Sequence, residues 1–535
     1  MKDYHATPFL PLADGKVRYV GEAVVAVVAE SRYVAEDAAE LVEIDYEELP
    51  LVVDPEAALE PGSPLLHEDA DTNVLAARAF TRGEVDEAMG AAAVTVGGRF
   101  RFRRKTPAAL ENRTYLAEYE VARRALTLHG STQVPGLVRD ALAEIFDSAR
   151  LRIRVVASDV GGGFGGKASL YPEEVVVSAL AILLGRPVKW TGDRMEDLTA
   201  TSQAFDEIVD AKLAVDADGK LMALEADVIG DVGAYSIYPW TATLEPVQVV
   251  SFLPGPYRLA NYRGRVRAVA TSKAPMGPYR GVGRPISTFV MERLIDMAAA
   301  RLGLNPAEMR ARNLVGPEAF PYKTGSGLVW DQAGFQECLA TARDRFDYDA
   351  RRADQAKVRQ AGGLRGIGIA SYAELTGIGS RISAAPGMPI NTGTERATLR
   401  IDATGGVTAV FGIASHGQGL ETTLAQVVAG ERPQHRHLCQ PQRGPRRRGG
   451  DPVGAGTAPA GAQGRLPPVR GGAGGYRRPG RHHLRHRHRQ VDDLPRSRPR
   501  LLFGDGQHPQ GGARGAGAGG QQDVRPLLRY DDLGD

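Results

Sequence analysis

At Gly430 the sequence changes character, and only the part before it has the makings of a packed protein. The 106 residues from Gly430 to Asp535 contain no Lys, Ile, Asn, Met or Trp and are dominated by Gly, Arg, Pro, Ala and Gln. So few large apolar side chains cannot bury enough surface to offset the entropy of ordering the chain. Seven of the 11 His lie there, four of them within Arg481–Arg489. Three readings compete: a basic disordered arm for RNA or membrane, a His-rich metal tract, or translation of a GC-rich gene out of frame. The third accounts best for the abruptness, because the break falls inside an expected helix over Thr422–Ala429, and a basic tail would use some Lys. Coding DNA decides it: a second frame that continues the helix makes residues 430–535 an artefact.

The break also explains a misleading charge. Residues 430–535 carry twenty Arg against eight Asp and one Glu, or +11, so the whole chain's +2 leaves −9 on residues 1–429. No nucleic-acid argument can rest on that total. The two cysteines, Cys338 and Cys439, are too few for a disulfide framework, a Cys₄ zinc site or an iron–sulfur cluster. Electrons from any redox chemistry here must leave through another subunit or carrier. No run approaches the ~20 apolar residues that span a bilayer, and the N-terminus lacks the apolar run of a signal peptide. No membrane span and a cytoplasmic location are therefore expected.

Residues 1–429 read as mixed α/β protein. Ala23–Val28 and Val42–Tyr46 read as strands on either side of a helix over about Arg32–Leu41 that Ser31 caps. Asp54–Asn73 reads as a connection. Strands are expected over Ala93–Phe100 and Arg152–Ala157. A helix is expected over Glu173–Leu184, closed by Gly185. Another spans Pro285–Leu302, with Ile286, Val290, Leu294 and Met297 on one face. Asn305-Pro306 then supplies a cap and first-turn proline for a third.

The strongest local motif is Asp159-Val160-Gly161-Gly162-Gly163-Phe164-Gly165-Gly166-Lys167, between a strand and a helix. So much glycine implies positive φ or close approach of the backbone to something else, and free N–H groups in such a loop make an anion cradle. Gly161-x₄-Gly166-Lys167 is nearly a Walker A loop, but Ala168 stands where Ser or Thr would hold Mg²⁺. A nucleotide-binding protein, a structural turn and a binding protein with a basic nucleic-acid-binding tail all stay open on this motif alone.

Other segments narrow the choice. Ser131-Thr132-Gln133, the glycine loop, Pro278-Tyr279-Arg280-Gly281-Val282-Gly283-Arg284 and His416-Gly417-Gln418-Gly419-Leu420 follow in that order. Together they resemble the molybdopterin-binding subunits of the xanthine dehydrogenase, aldehyde oxidase and CO dehydrogenase family, over roughly Val17 to Ala429. The resemblance implies an α+β (mixed α/β) fold: a partial hammerhead-like α/β domain (1–57), a linker (58–79), a first molybdopterin-binding domain (80–315), a second, truncated one (316–429), and the disordered tail (430–535).

The resemblance also implies a molybdopterin cofactor with molybdenum, in its cytosine dinucleotide form, and no iron–sulfur cluster or FAD in this chain. Those centres would sit on an iron–sulfur small subunit and an FAD-binding medium subunit of a hetero-oligomer. Gln133 would hydrogen-bond an oxygen ligand of molybdenum. Gly162, Gly163, Phe164, Gly165, Gly166 and Gly281 would lie against the cofactor, Arg280 would position the substrate or an anionic intermediate, and Gly417, Gln418 and Gly419 would hold the pterin or nucleotide end. No protein side chain is expected to ligate a metal. The reaction would be hydroxylation of an aldehyde or N-heterocycle with oxygen from water. Gly281 stands where CO-oxidising members carry the cysteine that bridges copper, so neither copper nor CO oxidation is expected. Two departures count against activity of this chain: the family's base glutamate is missing, and Thr106–Arg113 lacks the usual Met-Glu-Pro-Arg pattern. The 535-residue chain is expected to bind cofactor poorly and turn over nothing.

Overall fold

The computed structural model describes residues 4–146, 151–374 and 397–429. The tail and its His-Arg run lie outside the described residues. The described residues up to Ala425 belong to one compact unit, and residues 426–429 to a second. Among the described residues, every strand and every helix belongs to the first unit, apart from the last turn of the final helix.

In chain order the helices are α1 (Arg32–Ala39), α2 (Val85–Gly90), α3 (Pro135–Ile145), α4 (Pro172–Leu184), α5 (Arg194–Ala200), α6 (Leu244–Phe252), α7 (Arg284–Leu302), α8 (Pro306–Asn313), α9 (Phe335–Phe346), α10 (Tyr348–Gln360) and α11 (Leu420–Ala429). The strands of the first sheet are β1 (Val74–Arg82), β2 (Val94–Arg101), β7 (Glu207–Val215), β8 (Leu221–Gly233) and β9 (Asn261–Ala270), in the order β1-β9-β8-β7-β2. Those of the second are β3 (Thr114–Glu120), β4 (Ala125–Gly130), β5 (Arg152–Val156) and β6 (Val188–Thr191), in the order β5-β4-β3-β6. Two hairpins, β10 (Tyr322–Lys323) with β11 (Val329–Trp330) and β12 (Ala397–Ile401) with β13 (Val407–Phe411), complete the strands among the described residues.

The first sheet builds the main core by combining two periodicities. Val209, Ala211 and Leu213 alternate along β7, and Leu224, Ala226 and Val228 along β8, all toward one face. Ile286, Val290 and Leu294 line one side of α7 at helical spacing and close over that face. Each Val, Leu and Ile among them contributes about 1.5–3 kcal/mol by leaving water. On the opposite face Arg263 pairs with Glu225, Arg265 with Asp227 and Arg99 with Asp210 as ions, which keeps the middle of that side solvated.

The second sheet positions the site. β4 and β5 run parallel, and α3 connects them. Leu126, Leu128, Val138 and Leu142 fill the layer between sheet and helices. Ser131-Thr132-Gln133 leaves the carboxyl end of β4, and the glycine loop follows the carboxyl end of β5. Adjacent loops beyond the carboxyl ends of parallel strands are where open α/β sheets place ligands.

Most sequence expectations hold as elements. Ser31 caps α1, its hydroxyl accepting from Val34 N at 3.3 Å. Gly185 ends α4 at φ +59°, and the Asn305 side chain caps α8. Two expected strands are corrected. Ala23–Val28 and Val42–Tyr46 form no ladder among the described residues. An apolar run or an alternating one shows that a segment suits a pleated surface, but a strand also needs a partner, which local pattern cannot supply. β1 begins at Val74, inside the stretch 58–79 expected to be a linker. That connection is packed rather than loose: the buried Asn73 side chain binds the carbonyls of Ala58 and Pro64 and the N–H of Leu66.

Candidate functional site

The glycine loop is shaped by what it touches. A Cβ on Gly165 would stand 2.4 Å from the Pro278 carbonyl oxygen, and one on Gly163 would stand 2.3 Å from Gln133 Oε1. Gly165 has φ +103° and Phe164 φ +53°, a left-handed conformation that costs a side-chain-bearing residue about 1–3 kcal/mol. Arg280 N donates to Phe164 O at 2.9 Å, joining the glycine loop to the arginine loop. There Gly281 (φ +92°) and Val282 (φ +52°) make a second tight turn.

Most of the loop's backbone donors are already used, which corrects the expected anion cradle. Gly165 N and Lys167 N donate to Gln133 Oε1 at 2.9 and 3.2 Å. Gly161 N donates to Glu111 Oε2 at 2.7 Å, Gly166 N to Gly163 O, and Ala168 N to Gly165 O. The Lys167 side chain is 3% exposed and its ammonium donates to Glu111 Oε2 at 2.8 Å. Burial pushes that ammonium's pKa down, against the pull of Glu111. A Walker lysine must reach a phosphate, and this one is committed to a carboxylate, so the nucleotide-binding reading fails here.

Beside the loop, donors gather without matching acceptors. Because Gln133 Oε1 is taken, its amide Nε2 faces His416 Nε2 at 3.3 Å. Gln418 Oε1 accepts from His416 N at 2.8 Å, leaving Gln418 Nε2 against His416 Nδ1 at 3.1 Å. A neutral imidazole has one lone pair for two NH₂ groups. At least one amide donor is therefore left for an outside acceptor. The Arg280 guanidinium is exposed and has no hydrogen-bond or ionic partner among the described residues. Two amides, an imidazole and a guanidinium complement an oxygen-rich, anionic group. This donor set fits the oxygens and phosphate of the cofactor that the resemblance implies. Gly417 and Gly419 take φ +103° and +75° with no atom within 4 Å of a built Cβ, so a ligand could approach their backbone closely.

The four sequence segments thus meet: Gln133 with Gly165, Phe164 with Arg280, and Gln133 with His416. Sequence reasoning misses Glu111, which sits in the Thr106–Arg113 stretch that stands out only as a departure, and it gives His416 no role. Glu111 is 50 positions from Gly161, so no local signal could have paired them. Behind the loop, Arg113 fixes the scaffold. It is buried, binds Glu173 through two nitrogens at 2.7 and 3.1 Å, and lies 4.1 Å from the Tyr171 ring centroid. The Tyr171 hydroxyl in turn donates to Gly166 O at 2.6 Å.

Comparison with known proteins agrees with this geometry. Residues 66–314 and 341–431 each match a molybdopterin cofactor-binding domain, and residues 2–50 match the a/b hammerhead domain of aldehyde oxidase and xanthine dehydrogenase. The nicotine 6-hydroxylase large subunit of Paenarthrobacter nicotinovorans is 36% identical over 419 residues, covering 78% of this chain and 51% of that one. The carbon monoxide dehydrogenase large chain of Hydrogenophaga pseudoflava is 35% identical over 439 residues, covering 78% and 54%. The crystal structure of quinoline 2-oxidoreductase from Pseudomonas putida 86 superposes with a TM-score of 0.75 at 39% identity, over 80% of this chain and 54% of that one. The chain spans about half the length of these relatives.

Proposed function

The chain belongs to the xanthine dehydrogenase, aldehyde oxidase and CO dehydrogenase family of molybdopterin-binding large subunits, and on that premise we propose that its described residues form one wall of a molybdopterin site serving hydroxylation of an N-heteroaromatic compound. The observation that carries the reading is the meeting of Gln133, Phe164-Gly165, Arg280 and His416 at the carboxyl ends of parallel strands. When bound, the cofactor supplies the two-electron oxidation, with water as oxygen source. The Gln133 amide donates to an oxygen of that group. The Gly162–Gly166 backbone admits its close approach. Gly417, Gln418 and Gly419 hold its pterin or nucleotide end, a cytosine dinucleotide in this reading. Arg280 beside Gly281 steadies the substrate or its negative charge.

N-heteroaromatics are favoured because two of the relatives are named for action on nicotine and on quinoline. Gly281 offers no thiolate for copper, a metal that prefers soft sulfur ligands, so CO is not the substrate. With Cys338 the one free cysteine among the described residues, electrons pass to iron–sulfur and flavin subunits. No carboxylate among the described residues hydrogen-bonds to Gln133, His416 or Arg280, and in this reading the general base comes from elsewhere.

Metal and pterin analysis of the full chain from molybdenum-replete cells tests the reading. We expect both, at less than one per chain, with no dye-linked oxidation of quinoline by the chain alone. Protein free of pterin and molybdenum would refute the cofactor site. Calorimetry of the loaded protein should show quinoline bound in preference to an aliphatic aldehyde; the reverse order would refute the substrate class.

A further inference from the structure

We infer that Glu111 is the positioning residue of the cofactor-facing loop: one carboxylate oxygen ties Gly161 to Lys167 and closes the loop into a ring. That the ring faces a cofactor rests on the proposed molybdopterin site; the ring itself rests on geometry alone. Glu111 Oε2 accepts from Gly161 N at 2.7 Å and from Lys167 Nζ at 2.8 Å. Glu111 N donates back to Gly161 O at 3.1 Å, so the two chain segments are joined in both directions. A Cβ on Gly161 would stand 2.4 Å from Glu111 Cβ, so only glycine allows the approach.

Each partner needs the other. Lys167 is buried, and Glu111 is the only hydrogen-bond acceptor of its ammonium among the described residues. A buried ammonium left without a carboxylate is strongly destabilising. Inside the ring, Gln133 Oε1 takes the N–H groups of Gly165 and Lys167. With both ends and the interior fixed, Phe164 is held outward in its left-handed conformation, 45% exposed. Such a conformation persists only where the surroundings over-determine it. The ring also withdraws the nearest lysine from any bound anion. Recognition there falls to neutral amides, His416 and Arg280.

Hydrogen–deuterium exchange on the full-length chain, wild type against Glu111→Ala, Glu111→Gln and Lys167→Met, tests this. Removing a charge-assisted hydrogen bond should let the loop open about tenfold or more often. In Glu111→Ala, peptides over residues 159–168 should exchange faster by that factor, with β7 and β8 unchanged. Glu111→Gln keeps an acceptor for Gly161 N but removes the carboxylate that Lys167 needs, so a bulk-packing role predicts wild-type exchange in this isosteric variant, whereas the ring predicts exchange between wild type and Glu111→Ala. Lys167→Met should fall between them, and it carries the comparison if Glu111→Ala does not fold. Wild-type exchange in the loop of Glu111→Ala, or an equal rise throughout the body, would overturn the inference. Molybdenum measured in the same samples should fall several-fold in Glu111→Ala. A wild-type chain without molybdenum would overturn the cofactor reading while leaving the exchange result to judge the ring.

Discussion

Glycine's role in this loop differs from position to position. Gly165 combines φ +103° with a carbonyl oxygen 2.4 Å from any Cβ, whereas Gly417 has the same φ and open space around it. At Gly417 a methyl group meets only backbone strain, of the order of 1 kcal/mol. At Gly165 it must also push the arginine loop away from the glycine loop. Gly165→Ala should therefore cost about 3 kcal/mol or more of stability, and Gly417→Ala about 1 kcal/mol. Chemical denaturation of the two variants measures the difference; equal costs would mean that the contact between the loops is not tight. Five glycines in six positions are plain in the sequence. Which of them are pressed against Gln133, Glu111 or Pro278 is not, because those partners come from other elements.

Helix boundaries are the most legible elements, since their signals are local. Asn305 illustrates it: its side-chain oxygen accepts from Ala307 N at 2.8 Å, and the same oxygen accepts from the Tyr348 hydroxyl at 3.1 Å. The first bond can be read from Asn-Pro in the sequence; the second ties α8 to α10 and cannot. Asn305→Ala should cost about 1 kcal/mol for the cap and about 1 kcal/mol more for the tyrosine left without its acceptor. Asn305→Asp should recover most of both. Thermal or urea unfolding of the pair checks this, and a loss confined to the cap value would show that the link to Tyr348 contributes nothing. Strands fare worse where the partner is in question. The apolar run Ala23–Val28 suits a strand as well as the alternation of β2 and β5 does, yet only those two find neighbours.

For the molecule as a whole, several buried carboxyl groups set how stability responds to pH. Burial pushes Glu174 and Glu245 up to about 8 and Glu207 well above its ordinary value. Both oxygens of Glu207 and Glu245 Oε2 have no hydrogen-bond partner among the described residues. Below about pH 4.5 these groups are neutral in folded and unfolded chains alike. As pH rises toward 8 the unfolded chain ionises them while the folded chain keeps them protonated. Stability should then fall by up to ~1.4 kcal/mol per pH unit for each group. Glu245 Oε1 accepts from Phe205 N, and glutamine can keep that bond. Glu245→Gln should accordingly flatten the decline between pH 5 and 8 by about one group's share. An unchanged slope in pH-dependent unfolding would show that Glu245 is ionised in the fold. The sequence by itself determined the mixed α/β class, the helix ends, the family resemblance and the four segments of the site, because each is written in nearby residues. Only the tertiary structure decided that the glycine loop spends its donors on Gln133 and Glu111, that Lys167 is buried, and that Gln133, Arg280 and His416 converge. Those facts depend on pairs separated by 32 to 283 positions, and such pairs are set by how sheets and helices pack, not by any pattern along the chain.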